Sequence, residues 1–218
     1  MVATLLAVVA LGGCTHATKP DQKGFLVDYT RLQESKDAQG NVYFTHRMAM
    51  PAPRDHLTYA VSVGYFPVDA RFAGLSAQAQ ASILDYLDHA IRQRLQVKAL
   101  LASSTDQADV QLRVAITSVS AADPGMKPWD FLPFRLLTKS VKDGIMGAPK
   151  VATATLEAQV LDARTHGVLN ESVRKDDGGS IGRQKKGVSI VTLESLRKVL
   201  DQWASSVVSE LTQEQGES

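Results

Sequence analysis

The chain has 218 residues, of which 44% are hydrophobic and 22% charged, with a formal net charge of +1. That length suits one domain burying about 70% of its unfolded surface, enough to fold without a disulfide or a metal. The near-neutral balance argues against a polyanion-binding protein, so no nucleic-acid partner is expected, and a single cysteine cannot close an internal bridge.

The chain opens with Val2 to Leu11, an apolar run of ten residues, followed by Gly12, Gly13 and Cys14. A membrane-crossing helix needs about 20 residues, so this run is too short to span a bilayer and has the length of a secretory signal's apolar region. The stretch LGGC resembles the lipobox of bacterial lipoproteins. The resemblance implies that Leu11, Gly12 and Gly13 are read by the signal peptidase and that Cys14 becomes the acylated first residue. Thr15, standing where Asp would imply retention in the inner membrane, implies the periplasmic face of the outer membrane. Residues 15–23 are polar, contain Pro20 and read as a tether. The expected divisions are a signal peptide (1–13), lipidated cysteine and tether (14–23), one globular domain (24–211) and a tail (212–218).

Within the body, VYFTHRMAM (42–50) alternates, with Val42, Phe44, Met48 and Met50 on the side of His46; Pro51 and Pro53 end it, as suits an edge strand. LTYAVSVGY (57–65) alternates with Leu57, Tyr59, Val61, Val63 and Tyr65 on one face. Residues 76–96 predict a helix capped by Ser76, with Leu84, Leu87, Ile91 and Leu95 in a stripe beside Ile83. VQLRVAITSV (110–119) predicts a strand parallel to 57–65, completing a right-handed β-α-β unit. FRLLTKSVKDGIMG (134–147) predicts a helix behind Pro133. VATATLEAQVLD (151–162) and VLNESVRK (168–175) predict a hairpin turned at 163–167, with Gly167 supplying a positive φ. Residues 192–211 predict a helix with Leu196, Leu200, Trp203, Val207 and Leu211 inward. The expected architecture is a two-layer α+β (α/β) domain: a mixed sheet of about five strands packed by about three helices.

The stretches GFLVDYTRLQ (24–33), YFPVDARFAGLS (65–76), VQLRVAITSV and TLEAQVLDARTHGVL (155–169) resemble a family of proteobacterial lipoproteins, domain of unknown function 3313. The FAGLS stretch and the LDARTHG hairpin carry most of that likeness. The resemblance implies a lipid-anchored single domain and supplies no activity. The order of elements is also similar, at the level of fold alone, to small periplasmic lipoprotein domains that assist envelope assembly.

Candidate sites are sparse. Asp85 and His89 stand one helical turn apart, a spacing that suits either two metal ligands or an exposed contact near Arg92. His16 and His166 fall in the tether and a turn, His46 on a strand and His56 before one. Asp123, Asp130 and Asp143 form no acid/base pair, and there is no G-x-S-x-G elbow. No catalytic residue, cofactor or metal is therefore assigned. RKDDGGSIGRQKKG (174–187) sets five cations against two aspartates among four glycines. It reads as a flexible loop, with Arg183, Lys185 and Lys186 the candidates for contact with an anionic surface. Trp129, Phe131, Leu132 and Phe134 precede a segment bearing Arg135, Lys139 and Lys142, which suits either an interfacial lid or an ordinary core helix.

These features point to a non-enzymatic outer-membrane lipoprotein facing the periplasm, a binding or assembly module with an envelope protein as partner. The alternatives are a carrier of a lipid or small amphiphile, pocketed between the sheet and residues 129–146, or a cell-envelope hydrolase uniting groups such as Asp85 and His89.

Overall fold

The computed structural model describes residues 24–37, 40–48, 57–65, 75–122, 150–181 and 191–213. These form one mixed sheet of six strands: β1 (Gln33–Lys36), β2 (Val42–Arg47), β3 (Tyr59–Tyr65), β4 (Val110–Ala122), β5 (Lys150–Asp162) and β6 (Val168–Ile181). Two long helices, α1 (Ala77–Val97) and α2 (Leu193–Gln213), accompany them. The spatial order is β1-β2-β6-β5-β4-β3. Only β3 and β4 are parallel, joined through α1 as the β-α-β pattern predicts; every other pair is antiparallel. The class is as expected, with one strand more than anticipated. The helix anticipated at 134–147 lies outside the described residues.

Helix α1 starts where Ser76 accepts the Ala79 N–H through its hydroxyl. Ile83, Leu87, Ile91 and Leu95 are fully buried, at the i, i+4 spacing that puts side chains on one face. In α2, Leu196, Leu200, Trp203, Val207 and Leu211 all enter the same core. The two helices cover the sheet face bearing Val61, Leu112, Val114, Ile116, Leu156 and Val160. Each large aliphatic side chain buried this way contributes about 1.5–3 kcal/mol. Strand β4 keeps this up beyond Ile116 by means of a β-bulge between Ile116 and Ser118. The extra residue reverses the alternation, so Val119 rejoins the same core.

Four details depart from expectation. β2 is internal, with β1 on one side and β6 on the other; β1 (QESK) has no apolar residue to announce it, and its hairpin turns on Asp37, which bonds Gly40 and Asn41 while Gly40 takes φ +82°. The sheet's other edge is β3, partly sealed where Leu100 and Ala102 bond the Tyr59 backbone and Arg92 Nη2 donates to the Val61 carbonyl at 2.6 Å. At the β5–β6 turn, positive φ (57°) belongs to His166, not Gly167. Asp162 accepts from the Arg164 and Thr165 N–H groups and builds a turn in which a left-handed His is tolerated. Finally, β6 runs on beyond the expected 168–175, so that Asp176 to Ile181 is strand, not flexible loop. A Cβ at Gly178 would lie 2.3 Å from the Ser195 carbonyl oxygen, so this glycine admits the first turn of α2 against β6.

Candidate functional site

The sheet face turned away from the helices carries a polar network under a strap, residues 24–32. The strap seats Leu26, Tyr29 and Leu32 on Phe44 and Val173. Its path is fixed by hydrogen bonds. Asp28 caps the short 3-10 turn Tyr29–Arg31 by accepting the Thr30 N–H. The Gly24 and Phe25 N–H groups converge on the Tyr29 hydroxyl at 2.8 and 3.1 Å, with Leu26 N–H at 3.3 Å. That hydroxyl donates to Glu157 Oε2 at 2.5 Å. Glu157 is fully buried. Burial, and next the carboxylate partner, push the Tyr29 phenol above its ordinary range.

A second carboxylate works beside it. Glu171 Oε1 accepts from the Val27 N–H at 3.0 Å and from Gln159 Nε2 at 2.9 Å. Arg113 donates to Gln159 Oε1 at 3.3 Å and lies over the Phe25 ring. Both glutamates are thus bonded to the chain itself, and both lie under the strap. Such an arrangement locks a segment in place; a general acid or base would instead have to reach a bound substrate.

On the helix face, β6 offers a second polar centre. Arg174, only 3% exposed, pairs with Glu210 of α2 and with Asp37 at 3.8 Å, and its guanidinium stacks on the Tyr43 ring 3.8 Å from the centroid. It ties the β1–β2 hairpin, the sheet centre and α2 to one cation. Asp176, two residues along, accepts from Trp203 Nε1 at 2.5 Å. Burial raises its pKa, opposed by the Trp203 bond and by Arg174.

The outer side of the helix layer has an open trough of about 410 Å³ between the C-terminal halves of α1 and α2, lined by Gln93, Arg94, Val97, Lys98, Ser205, Val208 and Ser209. Between sheet and α2, by contrast, a space of about 10 Å³ beside Asn170, Ser172 and Glu210 has room for one water.

Leu11, Gly12, Gly13 and Cys14 lie outside the described residues, as do Arg183, Lys185 and Lys186 and the whole aromatic segment 126–149. Asp85 and His89 are both exposed on α1, and Arg92 pairs with Asp88 at 2.7 Å. Among the described residues no three metal-ligating side chains gather. His46 stands opposite Glu171 in the β2–β6 register, near Asp28. Glu157, Glu171 and Arg174 carry no sequence signal as sites: the two glutamates fall on the strand phase turned away from the helices, Arg174 on the helix-facing phase opposite Leu156, and each reads as an ordinary polar residue until the strap, the hairpin and α2 are in place.

The family described as "Protein of unknown function (DUF3313)" matches residues 21–207, and the chain belongs to it. No curated protein is detectably similar. Among solved structures, the PelC dodecamer from Paraburkholderia phytofirmans is similar at 12% identity, over 76% of this chain and 96% of that one, with a TM-score of 0.38. The hypothetical protein CT253 from Chlamydia trachomatis is similar at 11% identity, over 70% and 95%, with a TM-score of 0.40. Protein XCC0632 from Xanthomonas campestris, of family DUF330, is similar at 11% identity, over 77% and 94%, with a TM-score of 0.39.

Proposed function

We propose that this member of the DUF3313 family is a lipid-anchored, non-enzymatic binding module on the periplasmic face of the outer membrane, with another envelope protein as its partner. The observation that carries the reading is the apolar run Val2–Leu11 closed by Gly12, Gly13 and the chain's one cysteine, Cys14. No helix among the described residues is long and apolar enough to cross a membrane, so attachment would rest on acyl chains at Cys14. Two or three such chains hold far more firmly than one, because each buried methylene contributes about 0.8 kcal/mol.

The strap supports a particular geometry for that attachment. It begins at Gly24, ten residues after Cys14. Even fully extended, ten residues reach about 35 Å. The body would be confined to a thin layer beside the bilayer, where its effective concentration for other envelope components is raised. The two buried carboxylates of the sheet are engaged by the strap, which supports a holding role for them and not turnover.

The test is acyl labelling in growing cells. Wild-type chain should take up radiolabelled palmitate and sediment with the outer membrane, whereas Cys14→Ser should do neither. An unlabelled wild-type chain that keeps Met1 would overturn the anchor. In-cell cross-linking followed by purification should then recover the same envelope protein reproducibly; its absence would overturn the partner.

A further inference from the structure

The trough between α1 and α2 has the size of a small-molecule site, a class of roughly 300–1,000 Å³. From Gln93 to Lys98 helix α1 rises only about 7.5 Å, which is too short to seat a partner helix of several turns. Its apolar lining residues are Val97 and Val208. Val208 is buried at the floor, while Val97 is 83% exposed at the wall, the most exposed large hydrophobic side chain among the described residues. Opposite, Ser205 and Ser209 stand one turn apart on α2 and leave the space open.

The charge of the site is cationic. Arg94 is already committed: it donates to Ser205 Oγ at 3.1 Å and to the Ala90 carbonyl at 2.9 Å, and pairs with Asp201 at 3.4 Å. Among the described residues Lys98 makes no ion pair and no carboxylate lines the trough. The last α1 carbonyls are capped by the N–H groups of Lys98, Ala99 and Leu100, so the negative end of the helix is in part satisfied. A ligand matching these features has one short apolar chain and a negative head.

We propose that this trough binds single-chain anionic amphiphiles, with the tail on Val97 and Val208 and a carboxylate or phosphate head at Lys98. The site differs from the pocket expected beside residues 129–146, and it stands whether or not Cys14 is acylated.

The experiment titrates full chain carrying Cys14→Ser with three probes of equal tail length, each below its micelle concentration: decanoate, decyl phosphate and decyl maltoside. Saturable binding of the two anionic probes, with amide shifts confined to residues 93–98 and 205–209, is the expected result. Decyl maltoside should bind at least about fivefold more weakly, and Lys98→Glu should weaken the anions by about tenfold, as reversal of one exposed charge allows. Ser209→Gln, an exposed substitution that fills the space, should abolish binding while circular dichroism stays native. The proposal is overturned if the three probes bind alike, if Ser209→Gln binds as wild type does, or if an acidic peptide saturates the trough where decanoate does not. Tighter binding of decanoate than of decyl phosphate would assign the head to a carboxylate, and the reverse to a phosphate.

Discussion

Single residues decide how closely some elements of this fold approach each other. Gly178 is one, because its missing Cβ makes room for the Ser195 carbonyl. Gly178→Ala should lower stability by about 1–3 kcal/mol, as overpacking does, measured by denaturant unfolding. Gly64→Ala is the control: a Cβ there meets nothing within 4 Å, and the change should be neutral or stabilising by up to about 1 kcal/mol. Arg174 is another such position. Replacing it with Ala would leave Glu210 and Asp37 without their shared cation in a buried setting. The expected loss is about 3–5 kcal/mol, read as a lower unfolding midpoint. A loss below 1 kcal/mol would show that α2 and the β1–β2 hairpin hold without this link.

Among the elements, the strap is the one with a separable hold. Tyr29→Phe keeps the ring in its apolar seat and removes the one oxygen on which three backbone N–H groups meet and from which Glu157 accepts. Stability should fall by about 2–3 kcal/mol, and hydrogen exchange at Gly24, Phe25 and Leu26 should speed up more than exchange in β5. Equal acceleration everywhere would mean that the strap opens only with global unfolding. The strap also marks what could be read in advance. β3, α1, β4, β5 and α2 were legible because each carries an apolar residue at the period of its own backbone. β1 was not, since Gln33 to Lys36 are all polar and their pairing follows from the Asp37–Asn41 turn. The end of β6 misled for a related reason: KDDGG has the composition of a loop, while its glycines serve contact with α2. Glu157 and Glu171 looked solvated because nothing in an alternating strand tells whether a distant segment will cover its second face.

At the scale of the whole molecule, two aspartates give the pH dependence opposite slopes. Hydrogen bonds from Thr165 and Arg164 hold Asp162 below the usual carboxylate range. Its charged form is favoured by folding, so that stability is present at neutral pH and lost as pH falls through the depressed value. Burial raises Asp176, so its contribution runs the other way: folding favours the protonated form and loses that advantage as pH rises. Asp162→Asn should therefore be less stable than wild type at about pH 7, and Asp176→Asn more stable, with both differences shrinking toward about pH 3. Thermal melts across that range check both signs; parallel curves would remove these two groups from the titration.

The bulge after Ile116 has a consequence for reading relatives of this chain. Counting inward positions from Val110 in steps of two works as far as Ile116 and then names the wrong residues, because Val119 belongs to the core and Ser118 and Ser120 bond to Thr155 and Thr153 on the other side. The second half of the strand is in effect written in a different reading frame from the first. A relative that lacks the extra residue is to be aligned with its one-position gap at Thr117, where a gap set a few residues to either side would turn hydroxyls into core and core into hydroxyls.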